Sequence, residues 1–424
     1  MLTIACFDTI DYKKIEPTFF YKKTLDNIKK SPEATPKSSP LQIGWSKKTI
    51  VPVLPFKLAG YGVNSKKYTG IRDSIYVRTI VVSSNNKKYA IISYDLLIVN
   101  PSIVESIKAS SAFKTLQLDG LYFSATHSHQ SISGWDKSVV GKFAVGGYDK
   151  SIVEMIASQT VKSLTHSVHT LSEGRIAYSE ASGANFVSNK FKGSYVDNTI
   201  RSILFTKTDS TSALLTSFSA HATTTPSSSS LLSGDYPNYL IKELENNATI
   251  DFALFCAGGV SNHSAKIKSD EKTMENVNTY GKKLAHLILE KLPEAKPDTD
   301  SIPLSFKKHP VFLPDPVLKL TKNIRTRSWL FNSLFNRKSE TYVSHLRLGS
   351  IDLVATPCDF SGELRPKINT TNPLLITSFN GDYIGYVIVD KHYHERTREA
   401  QETNWYGPYT GSYFSAIINS IIKK

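Results

Sequence analysis

Short apolar runs that break off into loops of small residues recur along the chain. Lys88–Val99, Leu121–Ala125, Ala213–Ser219, Asp251–Cys256, Ile351–Ala355 and Leu374–Phe379 are rich in Val, Ile, Leu and Phe, which predicts strands. Between them the apolar positions fall at helical spacing. Asn100-Pro101 offers an N-cap and a first-turn proline for a helix running to about Phe113. Ile152, Val153, Ile156, Val161, Leu164 and Val168 share one helical face over Asp149–Leu171, with Gly174 as the expected stop. Pro237–Glu245 and Met274–Leu292 read as further helices. Arg201–Lys207 with Ala213–Ser219, and Tyr342–Leu348 with Ile351–Ala355, predict two hairpins. Strands alternate with helices early and pair as hairpins later. The expected class is therefore α/β (mixed α+β), with mixed sheets flanked by helices.

Five polar groups lie just where these runs end: His127, His221, Ser261, Asp359 and Tyr386. Side chains beyond the carboxyl ends of strands share one sheet edge, where open α/β sheets hold ligands. Two imidazoles, a carboxylate and a phenol on one rim can make a metal centre. In Thr126-His127-Ser128-His129 the two histidines are two residues apart, so in extended chain both face one cavity. Neutral imidazole is the commonest metal ligand, although such a pair, or a lone His221, also fits a structural role. The glycine turn Cys256–His263 exposes a serine and a histidine like a nucleophile loop, but GGVSNH lacks the G-x-S-x-G elbow. An ordinary tight turn explains it equally. A phenol is an uncommon zinc ligand, yet a dication lowers the pKa of what it binds, which admits Tyr386.

Composition adds little to this picture. The chain has 424 residues and a net charge of +14. That charge suits anionic partners, but it is spread rather than gathered into a block, and no nucleic-acid module accompanies it. Three cysteines, Cys6, Cys256 and Cys358, exclude a disulfide framework. No stretch is apolar enough over 18 residues to span a membrane. Met1–Phe7 is a short apolar stub without a basic flank. Read as the remnant of a trimmed anchor, it predicts a secreted, periplasmic or membrane-associated protein. Residues 1–42, including the linker-like Ser31–Pro40, read as a polar N-terminal segment, and 43–424 as one domain. Arg325–Arg337 places Trp329, Leu330, Phe331, Leu334 and Phe335 at helical spacing between arginines. Such a helix lies on a membrane surface or packs on the core.

From Ile43 to Tyr413 the chain resembles the neutral/alkaline (non-lysosomal) ceramidase family, zinc amidohydrolases that cleave the N-acyl bond of ceramide. The likeness rests on Ile43–Trp45 with Gly60-Tyr61, on Thr126–Gln130 against the family's T-H-T-H-S, and on Phe218–His221 followed by Ser233–Asp235. It continues through Ala257–His263, Thr356–Phe360 against V-P-G-E-F, Tyr383–Tyr393 and Trp405–Pro408. The resemblance implies a catalytic domain without the family's C-terminal β-sandwich. It also implies Zn²⁺ held by His127, His221, Asp359 and Tyr386. His129, Ser261 and Tyr393 take the catalytic positions, with His129 as the first choice for proton transfer. Asn189, Lys190, Asp235 and Arg398 fall in the substrate-binding group, with Asp235 also backing an imidazole. Four departures stand out: aspartate for the ligand glutamate, Ser131–Gly134 in place of G-P-G-G, Lys190 for an arginine whose fork it lacks, and Ser261-Asn262-His263 for S-P-N. The expected function is zinc-dependent hydrolysis of the N-acyl amide bond of ceramide or a related N-acyl lipid by a metal-activated water. The rivals are an inactive lipid-binding relative and a serine hydrolase using Ser261.

Overall fold

Alternation along the strands decides how they stack. In Tyr76–Ser84, Val77 and Val81 join a core shared with helices, while Ile80 and Val82 join a core shared with a second sheet. Ala90 and Ile92 divide from Tyr89 and Ile91 in the same way, as do Leu121 and Phe123 from Tyr122. Both faces are buried, which is why these strands read as continuous apolar runs. The computed structural model describes residues 6–423 apart from 33–36, 54, 63–65, 299–300 and 336–338. Within them the layers run helix, sheet, sheet, helix.

The main sheet follows the order Phe252–Ala257, Ser212–Phe218, Thr199–Lys207, Ser172–Ser182, Ser39–Thr49, Tyr76–Ser84, Lys87–Tyr94, Gly120–Ala125. Its two end pairs are parallel and the strands between them antiparallel. The ends curl toward each other: Ser93 Oγ donates to Phe255 O at 2.5 Å. The loops leaving Ala125, Phe218 and Ala257 therefore meet, although their strands lie far apart along the sheet.

The second sheet comprises Leu304–Phe312, Glu340–Leu348, Ile351–Ala355 and Leu374–Thr377. Polar bonds pin its carboxyl end to the first sheet. The Tyr122 and Thr377 hydroxyls lie 2.7 Å apart, and Ser378 N–H donates to Ala257 O at 2.9 Å. Pro101–Ala109, Lys150–His169, Asp235–Glu245 and Met274–Lys291 cover the outer face of the main sheet. Phe19–Lys30 and Thr410–Ile422 cover that of the second.

Both hairpins form. Three local differences have clear causes. The helix capped by Asn100 ends at Ala109, because Ser110 turns out and caps a separate short turn, Ser111–Lys114. Gly174 does not stop a helix. It lies in Ser172–Ser182, where a Cβ would meet Thr206 O at 2.5 Å, so glycine there allows close strand approach. Residues 1–42 are more than a polar segment. Phe19–Lys30 docks through buried Thr24 and Ile28, with Phe312 N–H donating to Thr24 Oγ1 at 2.9 Å, and Ser39–Thr49 is already a strand. A narrow inward stripe on a largely charged helix is a weak signal. Residues 1–5 and 33–36 of the stub and linker lie outside the described residues.

Of the Arg325–Arg337 stretch, Ser328–Phe335 is helical, while residues 336 and 337 fall outside the described residues. Phe331 is buried and stacks on Phe335 at 4.2 Å, both against Trp405, whereas Trp329 and Leu334 are exposed. Among the described residues no helix is long and apolar enough to cross a membrane. The three cysteines are free thiols.

Candidate metal centre

The chain turns sharply where Gly120–Ala125 ends. His127 has φ +63°, a left-handed conformation that non-glycine residues adopt only under constraint. Phe379, past the end of Leu374–Thr377, has φ +71°, and its ring stacks on His127 at 4.6 Å and 14°. The two strained turns hold each other.

Each of three imidazoles is anchored through Nδ1 to a backbone carbonyl. His127 bonds Leu97 O at 2.7 Å, His129 bonds Gly60 O at 2.9 Å and His221 bonds Val260 O at 3.1 Å. A carbonyl only accepts, so each Nδ1 carries the proton and each Nε2 presents a lone pair. The Nε2 atoms converge: His127 to His221 is 3.0 Å and His129 to His221 is 2.8 Å. Burial, and next the neighbouring His127, push the pKa of both His129 and His221 well below the ordinary imidazole value. Neutral imidazoles with lone pairs facing inward repel one another unless a cation sits between them. Zn–N bonds of about 2.0–2.1 Å put tetrahedral ligand nitrogens ~3.3 Å apart, close to this spacing.

An oxygen donor completes the group. Asp359 Oδ1 lies 3.1 Å from His127 Nε2 and has no hydrogen-bond donor, while Oδ2 accepts from the Tyr383 hydroxyl at 2.7 Å. A buried, unpartnered carboxylate oxygen against an imidazole lone pair again calls for a cation. Asp359 is paired in parallel with Tyr386, whose phenol lies close to the carboxylate. Burial, then Asp359, push that phenol well above its ordinary pKa. The nitrogen and oxygen set fits a zinc-type ion.

A cavity of about 250 Å³ opens onto the cluster, lined among others by His129, His221, Tyr386, Lys190, Arg398 and Glu399. Lys190 Nζ reaches Glu399 Oε1 at 2.6 Å, and Arg398 Nε pairs with Glu402 at 3.3 Å on the exposed side. Among the described residues, a larger cavity of about 610 Å³, between Lys108, Lys308 and Tyr342, touches the centre only through Tyr383.

Four expected site residues are not brought to the imidazoles. Ser261 Oγ bonds only Asn262 Oδ1, at 3.3 Å, and His263 Nε2 accepts from Asp197 N–H at 2.9 Å, so Ser261 is not hydrogen-bonded to an imidazole. Asn189 Nδ2 donates to Tyr195 O at 2.8 Å and to Glu363 at 3.2 Å. Asp235, at φ +57°, accepts from Thr224 and Thr225 N–H at 3.1 and 2.8 Å and shapes the loop after His221 instead of touching a ring. Tyr393 is buried beside Tyr12, with Lys319 Nζ 4.5 Å from its ring centroid. Sequence reading missed Tyr383, Glu399 and the role of Gly60-Tyr61. A Cβ at Gly60 would meet His129 Cβ at 2.2 Å, so only glycine lets that carbonyl reach the imidazole.

A sequence model described as neutral/alkaline non-lysosomal ceramidase, N-terminal, matches residues 41–253. Two solved structures share the fold. Neutral ceramidase from Pseudomonas aeruginosa matches with a TM-score of 0.77 at 14% identity over 91% of this chain and 74% of that one. A ceramidase complexed with C2 matches with the same TM-score and identity over 90% of this chain and 75% of that one.

Proposed function

The chain belongs to the neutral/alkaline non-lysosomal ceramidase family, and on that premise we propose that it is a zinc-dependent amidohydrolase cleaving the N-acyl amide bond of ceramide or a related N-acyl lipid. Membership makes it a ceramidase-like hydrolase. The observation that carries the metal is the convergence of three imidazoles whose Nδ1 atoms are already occupied. His127, His221, Asp359 and Tyr386 would hold the ion. When bound, zinc supplies Lewis acidity and a water acidified from a pKa of 15.7 toward about 7.

The chain's own residues do the rest. His129 belongs to the cluster and also faces the cavity. Its Nε2 stays unprotonated at neutral pH, because burial and His127 oppose the charge. It takes a proton there and returns it to the leaving amine. Tyr61 lies edge-on to the His129 ring at 6.0 Å and limits its rotation. Lys190, held by Glu399, and Arg398 offer N–H donors to polar substituents next to the amide. Ser261 and Tyr393 contribute to the surrounding framework.

A second ligand set is favoured by the 2.8 Å approach of His129 to His221: His129 would replace Tyr386, leaving no free ring nitrogen for proton transfer. Metal analysis separates the two. His129→Ala that keeps its zinc but loses turnover supports the first set, and loss of zinc supports the second. Zinc content and amidase rate that are both unchanged in His127→Ala and His221→Ala would sink the proposal. Activity that survives a chelator would revive the serine reading, and zinc without turnover would indicate an inactive lipid-binding relative. A lipid substrate also places the protein at a membrane, and exposed Trp329 and Leu334 are the proposed contact. Vesicle co-sedimentation unchanged by Trp329→Ala/Leu334→Ala would remove it.

A further inference from the structure

Two guanidiniums share a cavity beside the segments that carry the metal donors. Arg201, on Thr199–Lys207, and Arg365, in the turn Gly362–Lys367, line it with Asp197, Gly259, Phe360 and Ile376. Its volume, about 10 Å³, suits a single water-sized particle. Arg201 is matched in charge: Nη1 and Nη2 donate to Asp197 Oδ2 and Oδ1 at 3.1 and 3.0 Å. Asp197 Oδ2 also accepts from Ser219 Oγ at 3.0 Å, so that carboxylate already takes three donors. Arg365 meets a carbonyl instead, with Nη1 donating to Ile368 O at 3.2 Å. Both guanidiniums keep a buried Nε–H with no acceptor among the described residues. Glu180 Oε1 lies 4.0 Å from Arg201 Nε, beyond hydrogen-bonding distance, on a half-exposed side chain. Burial, then the Arg201 charge, lower the Arg365 pKa, yet a guanidinium stays charged at neutral pH. Arg201, Asp197 and Arg365 together thus carry one positive charge in excess, and shielding such a charge from water without a counter-ion is costly.

We infer that this cavity is a binding site for a monovalent halide ion, chloride in ordinary salt, held between Arg201 and Arg365. The space is too small for phosphate, sulfate or a carboxylate ligand. A water could accept from the orphaned Nε–H groups but would leave the charge, whereas a halide accepts from them and neutralises it. The place gives the ion a role. A Cβ on Gly259 would meet Gly362 N at 2.4 Å, and Gly362 N–H donates to Gly259 O at 3.1 Å, so two loops run in close contact here. Val260, next to Gly259, anchors His221 through its carbonyl, and Phe360 follows Asp359. The ion ties the turn that follows Asp359 to a strand of the main sheet. This inference is independent of the reaction the centre performs.

The test uses the full chain and has two readouts. Crystals grown in sodium chloride are measured at long wavelength, where chloride scatters anomalously, and an anomalous peak is expected between Arg201 and Arg365. In solution, chloride replaces gluconate, which is too large for the cavity, at constant ionic strength. An ion that binds only the folded chain raises the unfolding midpoint saturably, by about 2 °C at a tenfold excess over its dissociation constant. Arg365→Gln should lose that rise. The difference between the two proteins removes general salt effects and any chloride taken up at the metal centre. Water density without anomalous signal in the cavity overturns the inference, and so does an equal chloride response in both proteins. The diffraction readout needs only the wild-type chain, so it decides the matter even where Arg365→Gln does not fold.

Discussion

The two halves of the chain bring different chemistry to one point. Residues up to Ala257 and the turn beyond it build the main sheet, and its loops deliver nitrogen through His127, His129 and His221. Residues after Leu304 build the second sheet and its extensions, which deliver oxygen through Asp359, Tyr383 and Tyr386. The imidazoles are fixed within their own half by the carbonyls of Leu97, Gly60 and Val260. Asp359 is positioned by bonds between the layers: Tyr122–Thr377 and Ser378–Ala257 pin the two sheets, and Ser261 N–H donates to Phe360 O and Gly362 N–H to Gly259 O, each at 3.1 Å. The nitrogen side is thus set by local chain geometry and the oxygen side by packing between layers.

The largest expected effect removes the nitrogen side. His127→Ala or His221→Ala should lose stoichiometric zinc and lower amide hydrolysis by at least about 10³-fold, ~4 kcal/mol, as read by metal analysis and initial rates. Acid should disturb the same half. His263 is buried in the turn after Phe252–Ala257, and burial lowers its pKa to about 4. As pH falls below ~6.5 the unfolded chain takes a proton that the folded chain refuses until about 4, so stability falls across that window. The loss is on the order of 3 kcal/mol and saturates below it. Urea titrations at pH 7 and pH 4.5 should show it, and His263→Gln should flatten the slope.

Tyr383→Phe acts on the oxygen side alone. It deletes the hydroxyl that holds Asp359 Oδ2 at 2.7 Å. Zinc affinity should weaken about 10–100-fold while the fold persists, measured by competition with a fluorescent chelator. Affinity equal to wild type would mean that Asp359 is positioned without it, and the contrast between the halves would fail. The smallest effect concerns Ser261→Ala: turnover should change less than about threefold, ~0.6 kcal/mol, because its Oγ reaches only Asn262. A loss of about 10³-fold would instead make the serine the nucleophile.

The nitrogen half was also the more legible. Apolar runs marked the strands, and the His127–Ser128–His129 spacing placed two imidazoles on one side. The ends of apolar runs mark Asp359 and Tyr386 as candidates, but their role as ligands comes from family resemblance, since an isolated aspartate and tyrosine after short runs carry little signal. Tyr383 escaped because its partner comes from another strand, and the three carbonyl anchors escaped because backbone acceptors leave no trace in residue identity. Asp235, which the resemblance set behind an imidazole, turns instead to the amides of Thr224 and Thr225, a backbone contact that residue identity does not reveal.

Gly60 has no functional group, yet it holds a veto over the centre. One added methyl there would collide with the base of the His129 side chain at 2.2 Å, where no rotamer can yield. A related sequence could therefore keep every donor atom and still have lost its catalyst through alanine at this position. Inventories of ligand residues would pass such a sequence as intact.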